Sequence, residues 1–120
     1  MTIKKVLIAD DEESYRLILS QQLSKAGYTV VLASDGAEAI SRLKSEKIQV
    51  ALVDVQMPKV SGLDVMKFVK DNALETRVIV LTGYADLRVA IEAKEQGAVD
   101  FLNKPFTLSD VLSSVRQAFE

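Results

Sequence analysis

The stretch ALVDVQMPKVSG, residues 51–62, sets a carboxylate, Asp54, inside an apolar run. Ala51, Leu52, Val53 and Val55 have the composition of a buried strand, and Pro58 with Ser61-Gly62 marks the turn beyond it. Similar runs recur outward from this one, at KKVLIA (4–9), YTVVLA (28–33), VALVD (50–54), RVIVLT (77–82) and VDFLN (99–103). Each is followed by a longer segment in which apolar residues return at helical spacing, so the chain reads as five successive βα units. Strands that are apolar almost throughout belong to a parallel sheet covered on both faces, and right-handed crossovers leave few ways to connect it. The expected fold is therefore α/β, a doubly wound five-stranded parallel sheet. The first helix is predicted over Glu12–Ala26, with Tyr15, Ile18, Leu19, Gln22 and Leu23 near one stripe and Gly27 as its stop. Asp35/Glu38, Ser61/Asp64 and Thr107/Asp110 each have capping-box spacing at a helix start.

At 120 residues, with 48% hydrophobic and 27% charged residues, the chain is expected to form one soluble domain over 1–120. Fifteen basic residues face 17 acidic ones without blocks of like charge, which offers no footprint for nucleic acid or an anionic membrane. The absence of cysteine excludes disulfides and thiol chemistry, and the absence of histidine excludes imidazole bases and imidazole metal ligands. The opening MTIKKVLIAD has no long apolar core, and the other apolar runs are strand-sized, so a cytoplasmic location is expected.

Function in an open parallel sheet collects outside the carboxyl ends of the strands. Those ends carry Asp10-Asp11-Glu12, Asp54, Thr82-Gly83 and Asn103-Lys104-Pro105. Each has an ordinary structural explanation when taken alone. Acids favour the positive end of a helix, Asp54 suits a turn, Thr82 is a normal strand residue, and Lys104 suits a solvated loop. Together they fit those explanations poorly, because carboxylates from neighbouring strand ends repel one another in a partly desolvated crevice and Lys104 alone cannot balance them. Mg²⁺ can, since it takes a few carboxylates in an octahedral shell and leaves positions for water and a phosphoryl oxygen. Asp10, Asp11 and Asp54 match that need. Asp54 would serve as an oxygen nucleophile, with Lys104 and the Thr82 hydroxyl neutralising charge on the transferred group.

The acidic pair, DVQMPKVSG (54–62), LTGYAD (81–86) and VDFLNKPF (99–106), in this order and strand context, resemble the receiver domain of two-component response regulators across essentially the whole chain. The resemblance implies a flavodoxin-like (βα)5 fold with strand order 2-1-3-4-5 and a Mg²⁺ cofactor. It makes Asp54 the phosphoacceptor, with Asp11 a direct metal ligand, Asp10 assisting and the Gln56 backbone carbonyl completing the protein ligands. A phosphohistidine on a sensor histidine kinase, or a phosphotransfer protein, would be the donor. The domain would catalyse its own phosphorylation and autodephosphorylation without turning over an external substrate. Phosphorylation would draw in Thr82 and turn Phe101 inward, moving the surface of the fourth helix, fifth strand and fifth helix toward an output domain, a target protein or a phosphorylation-dependent dimer. Phe101, where many relatives have Tyr, equally suits a core aromatic. The Lys104–Pro105 bond resembles one that is commonly cis and aims the lysine into the site. Gln56 and Tyr84 flank the path of an attacking water: Gln56 would orient it and Tyr84 obstruct it, though both also suit plain loop residues. Gly83 leaves room for a phosphoryl group.

Three other classes fit less well. A haloacid-dehalogenase-like phosphatase needs a second acid two residues after the nucleophile, where Gln56 stands. A flavodoxin-like cofactor binder needs a Gly, Ser and Thr-rich phosphate loop, where ADDEES (9–14) would repel phosphate. A non-phosphorylated docking module of receiver shape is opposed by the complete set Asp10, Asp11, Asp54, Thr82 and Lys104.

Overall fold

A computed structural model describes residues 3–57, 60–83 and 87–120. Strands and helices alternate along the chain: β1 (Lys5–Ala9), α1 (Glu13–Lys25), β2 (Thr29–Ala33), α2 (Gly36–Ser45), β3 (Val50–Asp54), α3 (Gly62–Asp71), β4 (Arg77–Thr82), α4 (Leu87–Glu95), β5 (Asp100–Asn103) and α5 (Leu108–Ala118). The strands form one parallel sheet in the order β2-β1-β3-β4-β5, the doubly wound, flavodoxin-like arrangement.

The apolar runs become strands because both of their faces are buried. Val6 to Ala9 and Val50 to Val53 are fully shielded from solvent, and their side chains alternate between two cores. Leu7, Ala9, Ala51, Val53, Val78 and Val80 pack with α2, α3 and Ala93 of α4. Val6, Ile8, Val50, Leu52, Ile79 and Leu81 pack on the other face, with α1 and α5. No helix among the described residues is long and apolar enough to cross a membrane.

Helix ends follow the local chemistry, with one departure at α2. Ser61 with Asp64 and Thr107 with Asp110 form reciprocal capping boxes at the starts of α3 and α5. Asp35 accepts a hydrogen bond from the Glu38 amide, but the Glu38 carboxylate accepts from the Ser34 amide instead of that of Asp35, so the box at α2 is only half closed. In α1, Leu19 and Leu23 are buried as expected, whereas Ile18 is 50% exposed. The i, i+4 pair defines the line that meets the sheet, and Ile18 falls outside that line. Gly27 adopts φ +97° after α1, a left-handed conformation that glycine takes without steric penalty.

One glycine ties the fold to the strand that carries Asp54. A Cβ on Gly62 would lie 2.3 Å from the Asp54 backbone oxygen, and the Gly62 amide donates to the Val55 carbonyl at 3.2 Å. The start of α3 therefore rests directly on the end of β3. Gly62→Ala is expected to lower stability by about 1–3 kcal/mol through overpacking against backbone, seen as a reduced urea midpoint with an unchanged slope.

Candidate functional site

Strand register brings the acids together before any side chain is considered. Ala9 of β1 pairs with Val53 of β3, so Asp10 and Asp54 are the next residues on adjacent parallel strands, at the carboxyl rim. Asp10 is still held like a strand residue, its amide donating to the Ala33 carbonyl at 3.2 Å. Both carboxylates are buried, Asp10 completely and Asp54 to 3% exposure, while Asp11 and Glu12 are exposed just outside them. One carboxylate oxygen from each of Asp10, Asp11, Glu12 and Asp54 lies within 4.8 Å of the others.

Lys104 enters this cluster from the end of β5. Its Nζ donates to Asp10 Oδ2 at 2.8 Å, Asp54 Oδ2 at 3.0 Å and Glu12 Oε1 at 3.2 Å. The Lys104 amide donates to the Thr82 carbonyl at 2.6 Å, which fixes the backbone from which the side chain reaches inward, and the Lys104–Pro105 peptide bond is cis. The other oxygens of the two buried acids are also engaged. Asp54 Oδ1 accepts from the Gln56 amide and Asp10 Oδ1 from the Glu12 amide, each at 2.9 Å. Arg16 Nη1 donates to the Asp10 carbonyl at 2.6 Å, so α1 also grips the backbone just beyond β1.

Charge and burial act in opposite directions here. Burial holds the Asp54 carboxyl above its ordinary value; the Gln56 amide and the Lys104 ammonium oppose that rise, and the Asp10 charge reinforces it. Burial also works against the charge on Lys104, but its hydrogen bonds to Asp10 and Asp54 and their negative charge outweigh it and push the ammonium pKa up. Lys104 is thus firmly cationic, and Asp54 is a more basic carboxylate than one in water. That combination suits a nucleophile beside a fixed positive charge.

The remaining candidates occupy the same rim. Thr82 ends β4, next to β3, and is 1% exposed. Gly83 is exposed, and a Cβ there would meet open space. The Gln56 side chain is exposed beside Asp54, and Pro105 is exposed beside Lys104. Phe101 sits on β5 opposite Val80, half-buried against the α2–α4 core rather than among the carboxylates. Tyr84 lies outside the described residues.

Two contributors escaped the sequence-based site assignment. Glu12 reads as a helix-start acid, yet its side chain makes no cap hydrogen bond and instead contacts Lys104. Tyr15 reads as part of the apolar stripe of α1, yet its ring lies 4.1 Å from Lys104 Nζ. The only sequence signal for Tyr15 is its place one turn after Asp11.

With this geometry established, three comparisons with known proteins agree. The family model of the response regulator receiver domain matches residues 6–116. The alkaline phosphatase synthesis transcriptional regulatory protein PhoP of Bacillus subtilis is 35% identical over 113 residues, 94% of this chain and 47% of that protein, so the chain spans about half of that relative's length. Sporulation initiation phosphotransferase F of the same organism is 31% identical over 117 residues, covering 98% of this chain and 94% of that protein. The crystal structure of a response regulator protein from Burkholderia pseudomallei with a phosphorylated aspartic acid, calcium ion and citrate superposes with a TM-score of 0.86 at 32% identity, covering 93% of this chain and 66% of that one.

The raised Asp54 pKa has a thermodynamic sign that can be read directly. A carboxyl that binds its proton more tightly in the folded state subtracts stability once it ionises, and subtracts nothing below 3.8, where it is protonated in both states. Asp54→Asn is therefore expected to be more stable than the parent at pH 7, with the gap in urea midpoint closing as the pH falls through the raised folded-state pKa toward 3.8. A gap of constant size would remove Asp54 ionisation as its cause.

Proposed function

This chain belongs to the response regulator receiver domain family, and on that premise we propose that residues 1–120 act as one phosphoacceptor domain whose acceptor is Asp54. The observation that carries the reading is the Lys104 ammonium shared between Asp10 and Asp54 at 2.8 and 3.0 Å on the carboxyl rim. It supplies a fixed positive charge beside a buried, well-oriented carboxylate.

The step is a transfer from nitrogen to oxygen. An Asp54 carboxylate oxygen forms a bond to phosphorus as the bond to a phosphohistidine nitrogen breaks, and the departing imidazole takes up a proton. The donor is a sensor histidine kinase or a phosphotransfer protein. Lys104 and the Thr82 hydroxyl meet the charge on the equatorial phosphoryl oxygens. The exposed Gln56 side chain orients the water that later removes the group.

A donor set made only of carboxylate oxygens fits a hard divalent cation, and no histidine or cysteine is present to favour a softer one. Asp10, Asp11 and Asp54, with the Gln56 backbone carbonyl, would hold Mg²⁺, which when bound supplies charge neutralisation at the phosphoryl group. The solved relative with a phosphorylated aspartic acid and a calcium ion supports the pairing of acceptor and hard cation.

The output side of the reading rests on Thr82 and Phe101. Thr82 continues the side-chain alternation of Val78 and Val80, and Phe101 pairs with Val80, so both face the α2–α4 layer. Displacement of Thr82 toward a phosphoryl group would open space on the face where Phe101 packs, and the motion would pass to α4, β5 and α5. That surface carries exposed Ile91, Val99 and Leu108, apolar groups available to an output domain, a target protein or a second phosphorylated copy.

Incubation with acetyl phosphate and Mg²⁺ should give a phosphoryl adduct in the intact mass, absent from Asp54→Asn and absent after chelation. Lys104→Met should slow its formation by roughly 10²–10³-fold, the usual loss for one preorganised charge-stabilising group. An adduct that persists in Asp54→Asn would place the acceptor elsewhere.

A further inference from the structure

The carboxylates account for one side of the Lys104 ammonium. Its three N–H groups meet Asp10, Asp54 and Glu12, three oxygen acceptors at 2.8–3.2 Å. The Tyr15 ring, 4.1 Å from Nζ, adds a fourth contact that uses no hydrogen bond. The ring does not stand alone. Phe106 lies with its centroid 5.7 Å from that of Tyr15, tilted by 52°, and Phe106 itself packs against the α1/α5 core. Pro105 separates Lys104 from Phe106, so the loop that aims the lysine also carries the brace for the ring that covers it.

The contacts to the ammonium differ in how they tolerate movement. A hydrogen bond to a carboxylate weakens steeply when its distance or angle changes. Attraction to a ring face persists while the cation stays within about 6 Å of the centroid. When a phosphoryl group occupies Asp54, Lys104 must give up a carboxylate oxygen for a phosphoryl oxygen. The ring is the contact that can survive the exchange.

We infer that Tyr15 is a positioning residue: its ring, braced by Phe106, keeps the Lys104 ammonium at the rim while that ammonium exchanges the Asp54 carboxylate for a phosphoryl oxygen. This rests on the phosphoacceptor reading of Asp54. Tyr15 acts through Lys104 and touches neither donor nor acceptor.

The test pairs a spectroscopic signature with a rate, in the parent, Tyr15→Leu and Tyr15→Phe. Without metal or phosphodonor, the Lys104 ε-methylene protons of the parent should be shifted upfield by the ring current. The shift should be lost in Tyr15→Leu and restored in Tyr15→Phe. With acetyl phosphate and Mg²⁺, Tyr15→Leu should slow adduct formation by roughly 3- to 30-fold, the span of one cation–π contact, and Tyr15→Phe should recover most of the rate. Phe106→Leu, which leaves the ring but removes its brace, should weaken both signals and serves if Tyr15→Leu does not fold. A parent without the upfield shift overturns the contact. An intact shift with an equally fast Tyr15→Leu overturns the role while leaving the acceptor assignment standing. A parent that shows the shift but takes up no phosphoryl group overturns the phosphoacceptor reading and this inference with it.

Discussion

The Lys104 ammonium is the group that allows two carboxylates to be buried side by side at the ends of β1 and β3. Asp10 and Asp54 are almost wholly removed from water, and charges so placed are tolerated only when paired and hydrogen-bonded. Lys104 reaches both, and each acid places its second oxygen on a backbone amide of the loop that follows it. The pairing is incomplete by charge, since Asp10, Asp11, Glu12 and Asp54 stand against a single ammonium. That surplus of negative charge is what the divalent cation of the proposed function would offset. Backbone order supports the arrangement, because sheet hydrogen bonds continue through Asp10 and Lys104 and leave their side chains little freedom of origin.

Much of this was legible in the residues, for identifiable reasons. Strands buried on both faces leave continuous apolar runs, so the five strands were located to within a residue at their starts, as at Tyr28 against the observed Thr29. Parallel topology sends every strand end to one rim, so Asp10, Asp54, Thr82 and Lys104 were collected by chain order and alternation alone. What periodicity could not supply was the meeting of side chains from distant segments. Tyr15 was assigned to the core because it lies on the apolar stripe of α1; its contact with Lys104 depends on how closely the loop after β5 approaches that helix. Glu12 looked like a helix-start acid for the same reason, and its partner likewise arrives from the far end of the chain. Ile18 and Glu38 show the smaller version of this effect, where spacing was right and the choice of neighbour was made by packing.

The alternation of β-strand side chains has a further result for the layout of the domain. Asp10 and Asp54 continue the parity of the residues that face α1 and α5, whereas Thr82 and Phe101 share the side of α2, α3 and α4. The sheet thus works as a partition with the carboxylates and Lys104 at its open edge: the helix carrying Tyr15 and Arg16 lies on one side, and Thr82 faces the other. The output surface proposed for α4, β5 and α5 straddles this partition, with α4 on the Thr82 side and α5 beside α1 on the carboxylate side. A change that starts at Thr82 would reach α5 around β5, the edge strand at which the two helical layers come together.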